Sequence, residues 1–357
     1  MACYRKPHVE KMVRYQTSLG RDLDEGVRLD RNERVAPFPD EVVADVFSMF
    51  RNYSFNASPE AAPLYTVIAR DLDVGEDRVF LLSGVTEGIR VLYDLCADPG
   101  DNVICLDPTY PMYWIYADMY RLDYRKFVYD TAALRPDLGT LYGQLDERTR
   151  FVIIPNPNLP IESCFSVAEL REIAGKCAGV GATLVVDEAY HFFGGPSALG
   201  LVDELDNVLV FRTFSKAYGL AGLRIGFAVG NPGDIEYISK SRSIVESNTL
   251  SMSIAQYFLE HPEIRDRHVA DVKEGAAYIQ EELSGLGLRW HGGNFTNGIL
   301  VFLGSKQESE EAVAHLKTKK IYIRGAFEPP FDSAIRVSIG PRPYMEQFMA
   351  AFKDWLG

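Results

Sequence analysis

The sequence lacks the features that mark exported, membrane-spanning and zinc-binding proteins. Its 357 residues include five cysteines, which have neither C-x-x-C spacing nor an even number. We therefore expect reduced thiols rather than a disulfide framework or a metal site. No apolar run is long enough to cross a bilayer, and residues 1–12 contain no apolar signal-peptide core. These absences predict a cytoplasmic protein with no membrane partner.

The chain also has fewer positively than negatively charged residues. The chain has 37 lysines and arginines against 50 aspartates and glutamates, which gives a formal net charge of −13. Proteins that bind nucleic acid need a positive surface to neutralise phosphates, so this balance argues against DNA or RNA as a partner. It is still compatible with a local basic pocket for a small anionic molecule.

Repeats and low-complexity linkers are absent too, and apolar runs alternate with amphipathic segments along much of the chain. The predicted strands are Asn102–Leu106, Phe151–Ile154, Thr183–Val186, Val208–Phe211 and Ile225–Val229, and the predicted helices between them include Glu87–Cys96 and Val167–Ala178. This alternation predicts an α/β fold with a largely parallel sheet that helices cover on both faces. Ligands of such sheets bind beyond the carboxyl ends of the strands.

The pattern changes after about residue 235. Helical segments are followed there by two predicted strands, Gly298–Leu303 and Ala334–Ile339, and by a closing helix. This order predicts a smaller α+β domain. We therefore expect a large domain over residues 40–235, a small domain over residues 236–357, and an N-terminal segment, residues 1–39, that joins the small domain or a partner subunit.

A lysine lies in the segment that joins two of the predicted strands. Lys216 is surrounded by small and apolar residues in Thr213–Arg224, so we expect it to lose part of its hydration. Desolvation favours the neutral amine, which is the form that attacks a carbonyl to make a Schiff base. Ser215 and Arg224 add a hydroxyl and a guanidinium suited to phosphate. A surface lysine on a loop is the ordinary alternative.

An acidic motif, Asp187-Glu188-Ala189-Tyr190, directly follows the apolar run Thr183–Val186. Asp187 would therefore lie at the carboxyl end of a buried strand, where a carboxylate can bind a protonated pyridine nitrogen. Tyr190 could donate a hydrogen bond to a phenolic oxygen of the same ring. An aspartate that caps a helix is the alternative explanation.

Three weaker signals follow other predicted strands. A glycine-containing turn opens a helix, so that Gly84, Val85 and Thr86 could form a phosphate cradle. Tyr110 lies in a rigid Asp-Pro-Thr-Tyr-Pro loop and could stack on a flat ring. Arg336 lies on an alternating strand and could bind a carboxylate or a phosphate. Each of these also has a plain explanation as a turn, a packed aromatic residue or a solvated edge arginine.

Taken together, these motifs resemble those of the fold-type I pyridoxal-phosphate enzymes, and most closely the histidinol-phosphate aminotransferase branch. The resemblance runs from Leu29–Glu33 to Arg336–Gly340, which is nearly the whole chain. Its most specific elements are the Ser-Lys-Ala-Tyr-Gly-Leu-Ala-Gly-Leu-Arg stretch from Ser215 and the Asp-Glu-Ala-Tyr motif from Asp187. The resemblance implies an aminotransferase that uses pyridoxal 5′-phosphate to move an amino group from a donor such as glutamate to a keto or aldehyde acceptor. It also implies a homodimer with a shared active site.

The resemblance further implies roles for individual residues. Lys216 would hold the cofactor and shuttle the substrate proton, Asp187 would pair with the ring nitrogen, and Tyr110 would stack on the ring. Tyr190 and Asn158 would contact the phenolic oxygen. The residues implied around the cofactor phosphate are Gly84, Val85, Thr86, Thr213, Ser215 and Arg224. The residues implied around the substrate are Tyr15, Asn32, Arg324 and Arg336.

The sequence departs from the family pattern at three places near the expected substrate. The family's Asn-Pro-x-x-Pro-Thr-Gly loop is Asn156–Glu162 here, with Leu159 at one asparagine position. The tyrosine that reaches the partner's cofactor phosphate is either Tyr53 or is replaced by Phe55. An aromatic residue of the substrate strand is Gly298 here.

Two other functions share much of this pattern. A decarboxylase of the threonine-phosphate type would keep every cofactor residue and would break a different bond at the substrate Cα. An aminotransferase-like sensor domain of a transcription regulator would need a DNA-binding domain in front, and we expect no room for one before Leu29. The acidic balance also disfavours the sensor.

Overall fold

The computed structural model describes residues 4–15 and 20–357, apart from the side chains of Asn52 and Tyr53. The strands within these residues are β1 (Val27–Leu29), β2 (Val79–Leu82), β3 (Asn102–Asp107), β4 (Asp123–Asp130), β5 (Arg135–Pro136), β6 (Thr149–Pro155), β7 (Thr183–Asp187), β8 (Val208–Thr213), β9 (Gly226–Val229), β10 (Arg289–Gly292), β11 (Gly298–Phe302), β12 (Ile321–Ile323) and β13 (Ala334–Ser338). The α-helices are α1 (Pro7–Glu10), α2 (Asp40–Ser48), α3 (Ala62–Leu72), α4 (Val85–Cys96), α5 (Met112–Tyr120), α6 (Leu138–Tyr142), α7 (Val167–Ala178), α8 (Leu201–Glu204), α9 (Pro232–Ser239), α10 (Thr249–Glu260), α11 (Pro262–Gly285), α12 (Lys306–Thr318) and α13 (Arg342–Leu356).

The largest sheet has the strand order β2-β9-β8-β7-β6-β3-β4-β5. Its central strands β4, β3, β6, β7 and β8 are parallel, whereas β9 and β5 run antiparallel to their neighbours. Alternate residues of β7 enter two different cores, since Leu184 and Val186 pack on one face and Val185 on the other. Burial on both faces explains why these strands are continuous apolar runs. The expected α/β fold with a largely parallel sheet is confirmed.

Several elements of the large sheet region were not predicted, among them β4 and α5. β4 has a half-exposed pattern with Arg125 and Lys126 in it, so it lacks the apolar run that identified the other parallel strands. α5, which begins at Met112, is aromatic along most of its length and shows little contrast between its faces. Both elements owe their structure to tertiary packing rather than to a clear local pattern.

Helix α7 shows how local sequence sets a boundary. Ser166 Oγ accepts a hydrogen bond from Glu169 N at 3.2 Å, and Glu169 Oε2 accepts one from Ser166 N at 2.8 Å. This is a reciprocal capping box, which is typical of a serine followed three residues later by a glutamate at a helix start. The helix then lays Leu170, Ile173 and Cys177 against the large sheet.

The C-terminal part of the chain builds a second, antiparallel sheet in the order β10-β11-β13. The N-terminal strand β1 joins this part, because it pairs in parallel with β12 through Val27↔Ile321 and Leu29↔Ile323. Val27 and Leu29 share a core with residues of α11, α12 and α13. The expected domain boundaries at residues 39 and 235 stay a prediction.

Four of the five cysteines lie in the described part of the chain. The four described cysteines, Cys96, Cys105, Cys164 and Cys177, are free thiols. Within the ranges 4–15 and 20–357, no helix is both long and apolar enough to cross a membrane.

Helix α11 packs closely against the backbone of Gly340 at Gly275. A Cβ there would lie 1.9 Å from the carbonyl oxygen of Gly340, so backbone would have to move. We expect Gly275→Ala to destabilise the protein by roughly 1–3 kcal/mol or more. The matched control is Gly175→Ala in α7, where nothing lies within 4 Å. That change should be neutral or stabilise by about 0.5–1 kcal/mol. Urea unfolding of both variants tests the pair, and equal midpoints would contradict the packing at Gly275.

Candidate active site

The carboxyl ends of three strands bring predicted cofactor residues to one edge of the large sheet. β2 and β8 both pair antiparallel with β9, so they run in the same direction, and β7 runs parallel to β8. Gly84 follows β2, Asp187 ends β7, and Lys216 follows β8. The fold therefore gathers three motifs that lie far apart in the sequence, at the edge where parallel sheets bind ligands.

Lys216 is half-buried and reaches toward the N-terminal segment. Its Nζ lies 3.2 Å from the carbonyl oxygen of Arg31 and 3.3 Å from that of Asn32, and it donates to both. It also lies 5.5 Å from the centroid of the Tyr190 ring. On the other side of its backbone, the ring nitrogen Nδ1 of His268 hydrogen-bonds the Ala217 carbonyl at 2.8 Å. The amine is thus held at a defined position in the cleft.

Asp187 is the buried carboxylate of the site, with 5% of its surface exposed. Burial raises its pKa to about 6, while a hydrogen bond from Tyr113 and the positive Lys216 act in the opposite direction. The Tyr113 hydroxyl donates to Oδ2 at 2.6 Å, and the Ala189 N–H donates to Oδ1 at 3.0 Å. A buried carboxylate of this kind suits a cationic ring nitrogen, which would restore the charge balance. The sequence did not identify Tyr113, and its only signal is its place on α5, one turn after Tyr110.

The N-terminus of α4 has the properties of a phosphate cradle. Its N-cap is Gly84, which provides no side-chain cap, so the first N–H groups of the helix are available to an anion. Gly84 has φ +77°, and a Cβ there would lie 2.9 Å from Arg224 Nη2. Arg224 Nη1 in turn lies 3.5 Å from Ser215 Oγ. A guanidinium, a hydroxyl and free amides therefore surround one small space.

Two further predicted residues line this cradle. Thr213 Oγ1 accepts a hydrogen bond from Ser215 N at 3.1 Å and donates to Ser215 Oγ at 3.0 Å, which orients that hydroxyl. Thr86 Oγ1 and the Tyr110 hydroxyl lie 2.9 Å apart. Tyr110 is 43% exposed, so its ring is accessible from the cleft. The cradle, the buried Asp187 and the amine of Lys216 together fit pyridoxal 5′-phosphate.

Asn32 lies at the centre of the substrate side of the cleft. It has φ +54°, a left-handed conformation that asparagine tolerates better than most residues. Its Nδ2 donates to Tyr190 Oη at 2.9 Å. Ser338 of β13 accepts from Asn32 N at 2.8 Å and donates to Asn32 Oδ1 at 2.9 Å. Ser338 shares its strand face with Arg336, as the alternation in the sequence predicts.

Arg324 and Arg336 form the positively charged wall of the cleft. Their backbones exchange two hydrogen bonds, from Arg324 N at 3.0 Å and from Arg336 N at 2.6 Å. Directly opposed residues of an antiparallel pair project to the same face. Arg336 Nη2 donates to the Asp30 carbonyl at 2.6 Å, and its buried Nε has no hydrogen-bond partner in the described part of the chain. Burial and the neighbouring Arg324 lower the pKa of the Arg336 guanidinium.

Asn158 lies in a hydrogen-bond network that joins two loops, and its expected contact with the phenolic oxygen stays a prediction. Its Nδ2 donates to the Tyr129 hydroxyl at 2.8 Å and to the carbonyls of Pro108 and Ile161 at 3.1 and 3.3 Å. Its Oδ1 accepts from Thr109 at 2.6 Å. The amide thus holds two loops together. Polar contacts of this kind depend on tertiary structure and have no signal in the local sequence.

The remaining expected residues are Tyr15, for the substrate, and Tyr53 or Phe55, for the cofactor phosphate of the partner subunit. Tyr15 is described, and it raises the pKa of the Arg336 guanidinium against the effect of burial, as expected for a neighbour in the cleft. Phe55 is 73% exposed, at the end of a short 3-10 helix. The side chain of Tyr53 lies outside the described residues, so the choice between Tyr53 and Phe55 stays a prediction.

Comparison with known proteins decides the family. The family model for class I and II aminotransferases matches residues 64–352. The chain belongs to this family. A histidinol-phosphate aminotransferase of Sinorhizobium fredii is 27% identical over 331 residues, which is 93% of this chain and 89% of that protein.

Solved structures share the fold. That of histidinol-phosphate aminotransferase from Sinorhizobium meliloti in complex with pyridoxal-5′-phosphate has a TM-score of 0.86 at 20% identity, covering 99% of this chain and 97% of that one. That of L-threonine-O-3-phosphate decarboxylase from Porphyromonas gingivalis has a TM-score of 0.78 at 19% identity, covering 92% and 99%. The predicted fold type, the aminotransferase class and the pyridoxal 5′-phosphate cofactor are confirmed, whereas the roles of single residues stay predictions.

The raised pKa of Asp187 predicts a pH-dependent stability of the cofactor-free enzyme. Its folded-state pKa of about 6 exceeds the ordinary 3.8, so the folded protein binds a proton more tightly than the unfolded chain. The contribution of Asp187 to the free energy of unfolding therefore falls as the pH rises from 3.8 to about 6. Asp187→Asn removes that loss, which is worth roughly 1–3 kcal/mol. The stability gap between variant and wild type should widen over this range and stay constant above it, as urea unfolding at several pH values can measure.

The matched control is Asp107→Asn. Asp107 also ends a parallel strand, β3, but it pairs with the exposed Lys126 at 3.2 Å. Its variant shows what the loss of a strand-end carboxylate outside the core does to the free energy of unfolding. A constant gap for Asp187→Asn would contradict the account of this carboxylate.

Proposed function

We propose that this aminotransferase acts on a small amino compound that carries a phosphate or a second strong anion, of the histidinol phosphate type. The amino group would come from a donor such as glutamate and pass to a keto or aldehyde acceptor. The observation that carries the proposal is the pair Arg324 and Arg336 on one face of the cleft, together with the unused buried Nε of Arg336.

The arginine pair favours a doubly charged ligand. Two like charges directly opposite each other on neighbouring strands repel, so the arrangement is costly without an anion between them. A phosphate offers three oxygens and up to two negative charges, whereas a single carboxylate offers two oxygens and one charge. The relative from Sinorhizobium fredii, which is named for histidinol phosphate, supports the same class of substrate.

The residues around the cradle would hold the cofactor in one orientation. The N-terminal amides of α4, Ser215 and Arg224 would bind its phosphate, and Asp187 would keep its ring nitrogen protonated. The bound cofactor supplies an electron sink that stabilises negative charge at the substrate Cα. Tyr190 can donate its hydroxyl hydrogen to a ring oxygen while it accepts from Asn32, so the two contacts are compatible. Tyr110 would cover one face of the ring.

Lys216 would carry the proton in the reaction. Its Nζ would take the proton from the substrate Cα and return it to the cofactor carbon C4′, because it is the amine nearest to these two carbons. The carbonyls of Arg31 and Asn32 accept hydrogen bonds from Nζ and fix its position before substrate arrives. Holding a proton carrier at a defined place is worth more to the rate than added substrate affinity.

We further propose a cytoplasmic homodimer in which the partner completes the site. Phe55 and Tyr110 expose 73% and 43% of their surfaces, and Trp114 at the start of α5 is also exposed. Large exposed aromatic side chains are typical of subunit interfaces. Because Tyr110 hydrogen-bonds Thr86 of the cradle, a partner that covered Tyr110 would also shield the cofactor from water.

Arginine variants test the proposed substrate class. With 2-oxoglutarate as acceptor, wild type should turn over histidinol phosphate far better than histidinol, which lacks the phosphate. Arg336→Gln and Arg324→Gln should each raise KM for the phosphorylated substrate about 10- to 100-fold, since each removes a charged hydrogen bond. They should leave the weak activity on histidinol nearly unchanged. The control is Arg342→Gln, because Arg342 pairs with Glu346 on the exposed side of α13.

Two results would contradict this proposal, the first its substrate class and the second its reaction. One is equal turnover of histidinol and histidinol phosphate by the wild type. The other is release of carbon dioxide from threonine phosphate without amino transfer, which would favour a decarboxylase that uses the same arginines.

A further inference from the structure

The loop that follows β6 contains a buried carboxylate with no part in the cofactor chemistry described above. Glu162 is 6% exposed. Its oxygens accept four hydrogen bonds from the turn between β10 and β11. Three come from the backbone N–H groups of Gly293, Asn294 and Phe295, at 3.1, 3.0 and 3.0 Å. The fourth comes from the Thr296 hydroxyl at 2.7 Å.

The turn is shaped to surround this carboxylate. Gly292 and Gly293 have φ +109° and +85°, which lets consecutive N–H groups converge on one anion. The ring nitrogen Nε2 of His291 also hydrogen-bonds the backbone carbonyl of Glu162 at 2.7 Å. Because Glu162 follows β6 and the turn joins β10 to β11, these contacts tie the three-stranded sheet to the large sheet.

The turn leads directly into contacts that end at Lys216. Asn297, the next residue after Thr296, is buried and donates from Nδ2 to the Asn32 carbonyl at 3.2 Å. The same carbonyl accepts from Lys216 Nζ at 3.3 Å. A shift of the turn would therefore move Asn297, and with it the acceptor that positions the amine.

The loop after β6 also contacts the start of β11, through Leu159. A Cβ at Gly298 would lie 3.0 Å from Leu159 Cδ1 and 3.7 Å from Asn32 Oδ1, so Leu159 fills the space beside this glycine. The loop thus holds the beginning of β11 at two points, through an apolar contact at Leu159 and a polar one at Glu162. Two of the departures from the family pattern, Leu159 and Gly298, complement each other in this way.

We propose that Glu162 is a positioning residue for Lys216. By holding the turn before β11, its carboxylate fixes Asn297 and the Asn32 carbonyl, and so the place from which the amine acts. The catalytic part of this inference rests on the proposed role of Lys216. The mechanical part is that Glu162 fixes the position of the Asn32 segment through the turn. This part does not depend on the role of Lys216.

Amide hydrogen exchange on the holoenzyme tests the mechanical part. In Glu162→Gln, an amide nitrogen faces the converging N–H groups, so residues 293–297 should exchange at least about tenfold faster. The same acceleration should reach residues 30–33. The matched control is Glu169→Gln, since Glu169 also accepts a backbone hydrogen bond, at the start of α7. That variant should accelerate exchange only at its own helix.

Kinetics and absorption test the catalytic part. Glu162→Gln should lower kcat about tenfold and change KM for the amino donor by less than about twofold, as expected when a proton carrier is misplaced. The pH midpoint of the visible band that depends on Lys216 should also shift. Glu169→Gln should leave kcat, KM and the midpoint at wild-type values.

Several outcomes would overturn the proposal. Faster exchange confined to residues 293–297, or a lower melting temperature with unchanged kcat and pH midpoint, would reduce Glu162 to a structural residue. If Glu162→Gln does not fold, Thr296→Val removes one of the four bonds and is judged by the same criteria. If the wild type forms no band that depends on Lys216, the proposed function fails, whereas the exchange result still decides whether Glu162 controls residues 30–33.

Discussion

The hydrogen bonds of Asn32 join the parts of the molecule on which the cleft depends. Its carbonyl accepts from Lys216, which follows the large sheet, and from Asn297, which precedes β11. Its side chain meets Tyr190 and Ser338. One residue in a left-handed conformation therefore connects the large sheet, the three-stranded sheet and the N-terminal segment. This connection holds the Asn32 segment between the large sheet and the three-stranded sheet.

Charge is distributed along the cleft in a way that the overall composition does not suggest. The chain has a net charge of −13, yet Arg224 lies at the cradle and Arg324 and Arg336 form the opposite wall. Asp187 lies buried at the sheet edge, where the Tyr113 hydroxyl donates to it. In the proposed function, this arrangement would present positive charge to the anionic groups of cofactor and substrate and negative charge to a cationic ring. A negative surface elsewhere favours solubility without affecting this local field.

The sequence predicts the parts of the site that depend on the ends of buried strands. Asp187 and Lys216 could be found because apolar runs locate the strands, and parallel strands bring their carboxyl ends together. Tyr113 and Glu162 could not, since each acts through a partner that is distant in the sequence. The contacts of Asn158 with Pro108 and Tyr129 could not be predicted for the same reason, whereas its contact with the phenolic oxygen stays a prediction. Strand β4, between β3 and the short edge strand β5, was not predicted because its partial exposure removes the apolar run.

The central claim is that Lys216 carries pyridoxal 5′-phosphate in an amino-transfer reaction, and visible absorption tests it most directly. Purified wild type with the cofactor should show a band that bleaches when glutamate is added and returns with a keto acceptor. Lys216→Ala should lack the lysine-dependent band, whereas Lys240→Ala, a change at the exposed end of α9, should keep it. A band that persists unchanged in Lys216→Ala, or no band in the wild type, would contradict the account.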